Sequence, residues 1–246
     1  ALWAIAALIS EHPELESKFK PVIVSVSENS HDLVRIAVMQ NVLAYYNIDS
    51  EFSVRIFMKI ISEDSRIIGI PATWNILSRE YSYNSDFYRE KIITACKSNF
   101  EELANEAAKQ SCAIAIYFND TQMQNFVMAY QYKMEQVSKV CRQAISSFNK
   151  EEFHNLSEKI LVHFIDKYVD EINEFRWIFS EIELPRDKRF LMYLMNSNQG
   201  KYLIDDFIEY FNEKVIDIVQ FADILKTIGD RISLLEAGQV RKFCLQ

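Results

Sequence analysis

The chain has 246 residues, of which 49% are hydrophobic, and it contains only 4 glycines and 4 prolines. It can therefore bury a large core, but it lacks the turn residues that a many-stranded sheet requires, so the composition predicts an all-α fold. The formal net charge of -8 argues against the basic surface on which nucleic-acid-binding proteins depend.

A helical pattern with a period of about 35 residues begins at Pro13. From Glu14 to about Ser27, apolar residues recur at spacings of three and four, which predicts an amphipathic helix. A polar turn follows, with Ser30 as the expected N-cap, and a second apolar run extends to Tyr46. Two helices joined in this way form a HEAT-type hairpin, so we predict a HEAT-like α-solenoid of antiparallel helical hairpins over residues 1–149.

Three further units follow with decreasing regularity. Their predicted bounds are Asp49–Tyr81, Ser85–Phe118 and Asp120–Phe148. In the second unit the returning helix is expected over Ile67–Tyr81, with Gly69 and Pro71 in its first turns. Loss of regularity along an array is typical of solenoids, because each repeat contacts only its neighbours.

The repeat fades after Asn149. Residues 150–233 are predicted to form an irregular helical continuation or cap, a less regular C-terminal helical bundle, and residues 234–246 are predicted to be a tail. The helices expected there are Glu151–Tyr168, Asp170–Ile182, Asp187–Met195, Lys201–Asn212 and Val215–Gly229.

The sequence predicts a cytoplasmic protein. Its first residues, ALWAIAALIS, lack the basic region of a signal peptide, and no segment reaches the ~18 apolar residues of a membrane span. The 4 cysteines are far apart and form no C-x-x-C pair, as expected of reduced core thiols. The chain begins inside an apolar run and without Met, which predicts either a segment of a longer protein or a chain whose first residues are missing.

No catalytic, cofactor-binding or metal-binding residue is predicted. A phosphate loop needs Ser or Thr after its Gly-Lys pair, but Tyr202 follows Gly200 and Lys201, so a glycine at a helix junction is expected instead. The histidines lack the i,i+4 spacing that lets two imidazoles share an ion, and solvated positions are expected for His12, His31, His154 and His163.

Acidic and basic residues recur at the turns of the first two units. Asp32 and Arg35 occupy the first turn, and Asp64 and Arg66 fall at nearly the same places in the second. Such residues could hold neighbouring repeats together as a ladder, or the arginines could face a partner; the ladder is the favoured interpretation.

Aromatic residues near the turns are candidate interface anchors, since tyrosine and tryptophan dominate binding hot spots. The candidates are Tyr81, Tyr83 and Tyr88.

The first third of the chain resembles a known family. Besides the HEAT pattern, the segments Ala4–Leu8 (AIAAL), His12–Leu15 (HPEL), His31–Arg35 (HDLVR) and Val54–Phe57 (VRIF) resemble the C-terminal helical region of bacterial STAND-type, NACHT-like ATPases. The resemblance implies a repeat array that recognises an invader component or regulates assembly in antiphage defence. It implies a protein partner, either a phage component or another protomer, with no cofactor and no catalytic activity in this segment.

Two alternatives remain at this stage. One is an alkylpurine DNA glycosylase, an enzyme with a similar HEAT-like architecture, for which Trp74 and Asp64 would be the candidate site residues. The negative net charge argues against it. The other is a free-standing assembly scaffold, which differs from the favoured function only in its partner.

Overall fold

The computed structural model describes residues 2–28 and 31–213 and the single positions 222, 225, 226 and 229. Within this part of the chain all regular structure is helical and there is no strand, which confirms the all-α prediction. The α-helices are α1 (Leu2–Glu11), α2 (Glu16–Ser27), α3 (Asp32–Tyr46), α4 (Ser50–Glu63), α5 (Trp74–Glu80), α6 (Ser85–Cys96), α7 (Glu101–Tyr117), α8 (Thr121–Ala129), α9 (Met134–Phe148), α10 (Glu151–Lys167), α11 (Lys188–Asn196) and α12 (Ile204–Glu213).

The chain divides into two compact units, residues 1–131 and residues 132–246. The boundary predicted at residues 149–150 marks the end of the sequence repeat. A division into compact units does not test where a repeat ends, so this boundary stays a prediction. The predicted tail at residues 234–246 lies outside the described residues, and so does the predicted helix Val215–Gly229 except at single positions.

In the first unit, helices pack both against their immediate neighbours in sequence and against helices further along the chain. Helix α3 contacts α1, α2 and α4, while α7 contacts α6 and α8. The 3₁₀-helix Ser65–Gly69 packs against α4, α6 and α7. The buried side chains between these helices are aromatic and aliphatic, and they include Tyr45, Phe57, Ile60, Ile68, Leu77, Tyr88, Ile92 and Ile114.

Polar residues cap several of these helices. Asp49 begins α4 by accepting a hydrogen bond from the backbone N of Phe52 at 2.9 Å, and Asp120 begins α8 by accepting one from Met123 at 2.8 Å. The N-cap of α3 is His31, which precedes Asp32. The predicted cap, Ser30, lies outside the described residues.

The predicted helix Ile67–Tyr81 is wrong as a continuous α-helix. The segment forms the 3₁₀-helices Ser65–Gly69 and Pro71–Thr73, then α5, then the 3₁₀-helix Tyr81–Tyr83. Two residues explain the break. Pro71 has no backbone N–H to donate, and Gly69 lies so close to α7 that an added Cβ would be 2.1 Å from the carbonyl oxygen of Leu103.

The second unit contains α9 to α12. Helix α9 packs against α10 and against the 3₁₀-helix Asn173–Ser180, which also contacts α12. The predicted α-helix Asp170–Ile182 is therefore wrong in type and length. Residues 168–172 instead lie extended or irregular, and the buried Gln199 side chain donates to the carbonyl oxygens of Tyr168 and Asp170 and accepts from the N–H of Ile172.

Among the described residues, no helix has both the length and the apolar content needed to span a membrane.

Substituting Gly69 tests the close approach of its backbone to α7. Gly69→Ala is expected to lower the free energy of unfolding by about 1–3 kcal/mol, because the new methyl group meets backbone atoms that cannot rotate away. Urea denaturation followed by circular dichroism measures this change. Gly229→Ala, at an exposed position, is the control and should cause no loss; equal stability of the Gly69→Ala and wild-type chains would contradict the packing described.

Candidate functional site

A cleft of about 340 Å³ lies in the first unit, lined by residues at the start of α3, just after α4 and at the start of α7. We call it the Phe100 cleft. Most of its wall is aliphatic or aromatic, and it also contains two carboxylates and one guanidinium. Its lining residues are His31, Asp32, Leu33, Ile36, Asp64, Arg66, Ile67, Phe100 and Leu103.

The charged part of the cleft is organised around Arg66. Its Nε donates to Oδ1 of Asp64 at 2.7 Å, and its Nη2 donates to Oδ2 of Asp64 at 2.5 Å. The same Nη2 donates to Oδ2 of Asp32 at 3.1 Å. The face of the guanidinium lies over Phe100, with Cζ 4.4 Å from the ring centroid. Arg66 therefore contacts residues from three successive turns.

These contacts keep both partners charged at neutral pH. The hydrogen bonds from Arg66 hold the pKa of Asp64 below its usual value, although burial of the carboxyl opposes this effect. The same bonds raise the pKa of Arg66. Asp64 is only 8% exposed, and a carboxylate this buried is tolerated because a bidentate cation satisfies it.

The apolar rim of the cleft is open to solvent. Leu33, on the first turn of α3, is 69% exposed, and Phe100, the residue before α7, is 54% exposed. Large apolar side chains are usually withdrawn from water, and a neighbouring pair at a cleft is typical of a binding surface. The cleft therefore places exposed apolar side chains beside charged groups.

The predicted ladder of turn residues is confirmed for both arginines. Arg66 joins the second turn to Asp32 in the first, and Arg35 donates from Nη2 to Glu63 at 3.1 Å. The two aspartates differ in one detail. Asp64 caps the helix that follows it, but Asp32 does not, because His31 takes the capping position of α3.

Two of the three tyrosines proposed as anchors are buried, so that prediction is wrong for them. Tyr81 and Tyr88 lie in the core, where the hydroxyl of Tyr81 donates to Asp120 at 2.7 Å. Tyr83 is 84% exposed. Trp74 does not line the Phe100 cleft and instead packs on Tyr117, with ring centroids 6.0 Å apart.

The second unit contains a buried cluster that the sequence analysis missed. His154, expected at a solvated position, is largely buried, with Nδ1 2.7 Å from the carbonyl oxygen of Phe148 and Nε2 3.4 Å from Oδ1 of Asp187. Asp187 also accepts from Nε of Arg186 at 2.7 Å and from the N–H of Glu183 at 2.8 Å. The cluster fastens the turn at residues 183–187 to α10.

The thiols and the Gly-Lys pair are structural where the chain is described. Burial raises the pKa of Cys96 to about 12 and raises that of Cys112 as well, so both stay protonated at neutral pH. Cys244 lies outside the described residues. Gly200 begins a short 3₁₀-helix after α11, and an added Cβ would be 2.3 Å from the carbonyl oxygen of Met195. The predicted junction role of Gly200 is therefore confirmed.

Within residues 2–28 and 31–213 and the four single positions, no group of three or more His, Cys, Asp or Glu side chains could hold a metal ion.

The sequence analysis also missed the apolar rim. Both Leu33 and Phe100 lie off the apolar stripes that predict the hairpin cores, at or just before the start of a helix. An apolar residue at such a position was the available signal, and it could have been noted without a structure.

Comparison of the chain with protein-family models, with curated proteins and with solved structures gives no match.

Replacing Arg66 tests the role of its contacts. Arg66→Met should lower the free energy of unfolding by about 1–3 kcal/mol, because it leaves the buried Asp64 carboxylate without its bidentate donor. Tryptophan fluorescence measures this unfolding. In a Trp177→Phe background the remaining tryptophans are Trp3 and Trp74, which both belong to residues 1–131, so the signal comes from the first unit. Lys97→Met, which removes an exposed cation from the third turn, is the control and should have little effect.

Acid should weaken the first unit. A hydrogen bond from Lys20 is the main cause that lowers the pKa of Asp49, and hydrogen bonds from Arg66 do the same for Asp64. Burial raises the pKa of Asp120, but the hydrogen bonds to this carboxylate outweigh burial, so its pKa is lowered as well. Carboxylates with lowered pKa stabilise the fold above the usual value of 3.8, and this stabilisation is lost as pH falls through the folded-state pKa.

We therefore expect the unfolding free energy, measured in urea between pH 7 and pH 2.5, to fall below about pH 4. Asp64→Asn should be less stable than wild type at pH 7 and should show a shallower acid dependence. An unchanged slope in this variant would contradict the role of Asp64.

Proposed function

We propose that this chain is a non-catalytic protein-interaction array of stacked helical hairpins, a HEAT-like α-solenoid. We further propose that it is the C-terminal sensing or regulatory region of a larger, cytoplasmic STAND-like ATPase of antiphage defence. The observation that carries the proposal is the Phe100 cleft, in which exposed apolar side chains surround a charged centre whose polar groups already bind one another.

The spacing of polar contacts supports a stack of hairpins. In the first unit, side-chain hydrogen bonds between separate hairpins join residues 28 to 40 positions apart, such as Arg35 to Glu63 and Gln110 to Ile70. This separation is close to the repeat period of about 35 residues. A repeat array would produce polar contacts at about this separation, because each repeat contacts its neighbours.

The exposed rim supports an interaction role. Leu33 and Phe100 keep large exposed fractions, although one face of the Phe100 ring contacts Arg66, and they flank a concavity that an anchor side chain could enter. The charged groups favour a binding role over a catalytic one, since Arg66 donates two hydrogen bonds to Asp64.

The family resemblance supports the place of this array in a larger protein. One of the segments that carry it, His31–Arg35, contributes three residues to the wall of the cleft. The resemblance and the cleft therefore involve the same part of the chain. The buried thiols Cys96 and Cys112 agree with a reducing compartment.

The function can be tested by affinity capture. The full chain is immobilised, incubated with extracts of phage-infected and uninfected bacteria, and compared with Leu33→Asp and with Val169→Asp. Val169 is an exposed apolar residue of the second unit and serves as the matched control. We expect a protein that binds wild type and Val169→Asp and that is lost with Leu33→Asp.

Two results would contradict the proposal. One is that every captured protein binds Leu33→Asp as well as wild type. The other is release of a methylated base from alkylated DNA by the purified chain, which would establish the glycosylase alternative instead.

A further inference from the structure

We propose that the Phe100 cleft takes a protein segment presenting one large apolar side chain beside a lysine or arginine. This inference rests on the proposed interaction function and specifies the chemistry of the partner. It follows from three properties of the cleft: its volume, its apolar wall and its excess of carboxylates.

The volume and the wall define the apolar half of the partner. A cleft of about 340 Å³ is at the lower end of the range for ligand pockets, which is sufficient for one or two large side chains. Ile36, Ile67 and Leu103 line it, and the exposed Leu33 and Phe100 would cover an inserted side chain from the rim. A leucine, methionine or aromatic residue matches this wall better than a polar one does.

The charges define the other half. The cleft contains two carboxylates, Asp32 and Asp64, and one guanidinium, Arg66. Arg66 is bidentate with Asp64, so that pair is neutral, whereas the half-exposed Asp32 shares only one hydrogen bond with Nη2 of Arg66. The remaining negative charge is at the rim, where a cation from a partner can reach it.

The residues that follow Phe100 in sequence are also negatively charged. Glu101 and Glu102 follow Phe100 directly and are exposed, while Glu63 is already paired with Arg35. Lys97 is an exposed cation of the same turn, but among the residues that line the cleft two carboxylates, Asp32 and Asp64, outnumber the one guanidinium. An acidic segment would find the Arg66 guanidinium occupied and would be repelled by these groups, so the cleft selects against it.

A random peptide library panned against the full chain tests this chemistry, with Leu33→Asp as the counter-selection. We expect enriched peptides to share a large apolar residue adjacent to lysine or arginine. The best peptide is then labelled, and its Kd is measured by fluorescence anisotropy against wild type, Asp32→Asn, Leu33→Asp and Val169→Asp. Circular dichroism and urea midpoints check that each variant is folded.

Asp32→Asn should weaken binding about tenfold, and replacing the basic residue of the peptide by glutamine should weaken it by a similar factor. The two changes together should cost little more than either alone, because they remove the same ion pair. Leu33→Asp should abolish binding, and Val169→Asp should leave it unchanged. The peptide variants test the charge requirement without altering the protein.

Three outcomes would overturn the inference. The first is enrichment of acidic or uncharged peptides. The second is the absence of any peptide that prefers wild type to Leu33→Asp. The third is a dimer, detected by light scattering and dispersed by Leu33→Asp, which would make a second copy the occupant. If affinity capture gives a Leu33-dependent protein that binds Asp32→Asn equally well, the interaction function stands and only the basic specificity fails.

Discussion

The guanidinium of Arg66 joins three successive turns of the first unit. Its donors bind Asp64 within its own turn and Asp32 in the turn before, and its face lies over Phe100 in the turn after. A planar cation can make in-plane hydrogen bonds and a face contact together, which the point charge of a lysine cannot do. The burial of Asp64 is tolerated only because of this geometry. The shape of the Phe100 cleft therefore depends on one side chain.

Contacts at the repeat spacing also occur where the sequence shows no repeat. In the second unit, Gln199 reaches back 31 residues to Tyr168, whose hydroxyl donates to Tyr132, 36 residues earlier. Gln199 satisfies backbone groups in the irregular segment before the 3₁₀-helix Asn173–Ser180, and such groups would otherwise be costly to bury. The Gln199 side chain thus satisfies backbone groups of this segment, as regular hydrogen bonds satisfy those within a helix.

The helices that sequence predicted well are those with a continuous apolar stripe, such as α4, α7 and α10, because spacing alone identifies the buried face. The failures have both local and non-local causes, and Pro71, which has no backbone N–H to donate, is the local one. Gly69 is required by the backbone of α7, which lies more than 30 residues further along the chain, and a local pattern cannot show this approach. The arginine ladder was predictable because its members recur at the repeat period. The cleft was not, because Leu33 and Phe100 come together only once the turns are placed side by side.

Loss of the repeat pattern in the third turn gives the cleft its exposed aromatic residue. The first two turns each supply an aspartate to Arg66, and the third supplies Phe100 instead. A third aspartate there would add charge and compete for the same donors. An aromatic ring holds the cation through its face, leaves the net charge unchanged and exposes apolar surface to water. The cleft therefore combines the carboxylate of the regular first turn, Asp32, with the exposed apolar surface that the changed third turn supplies through Phe100.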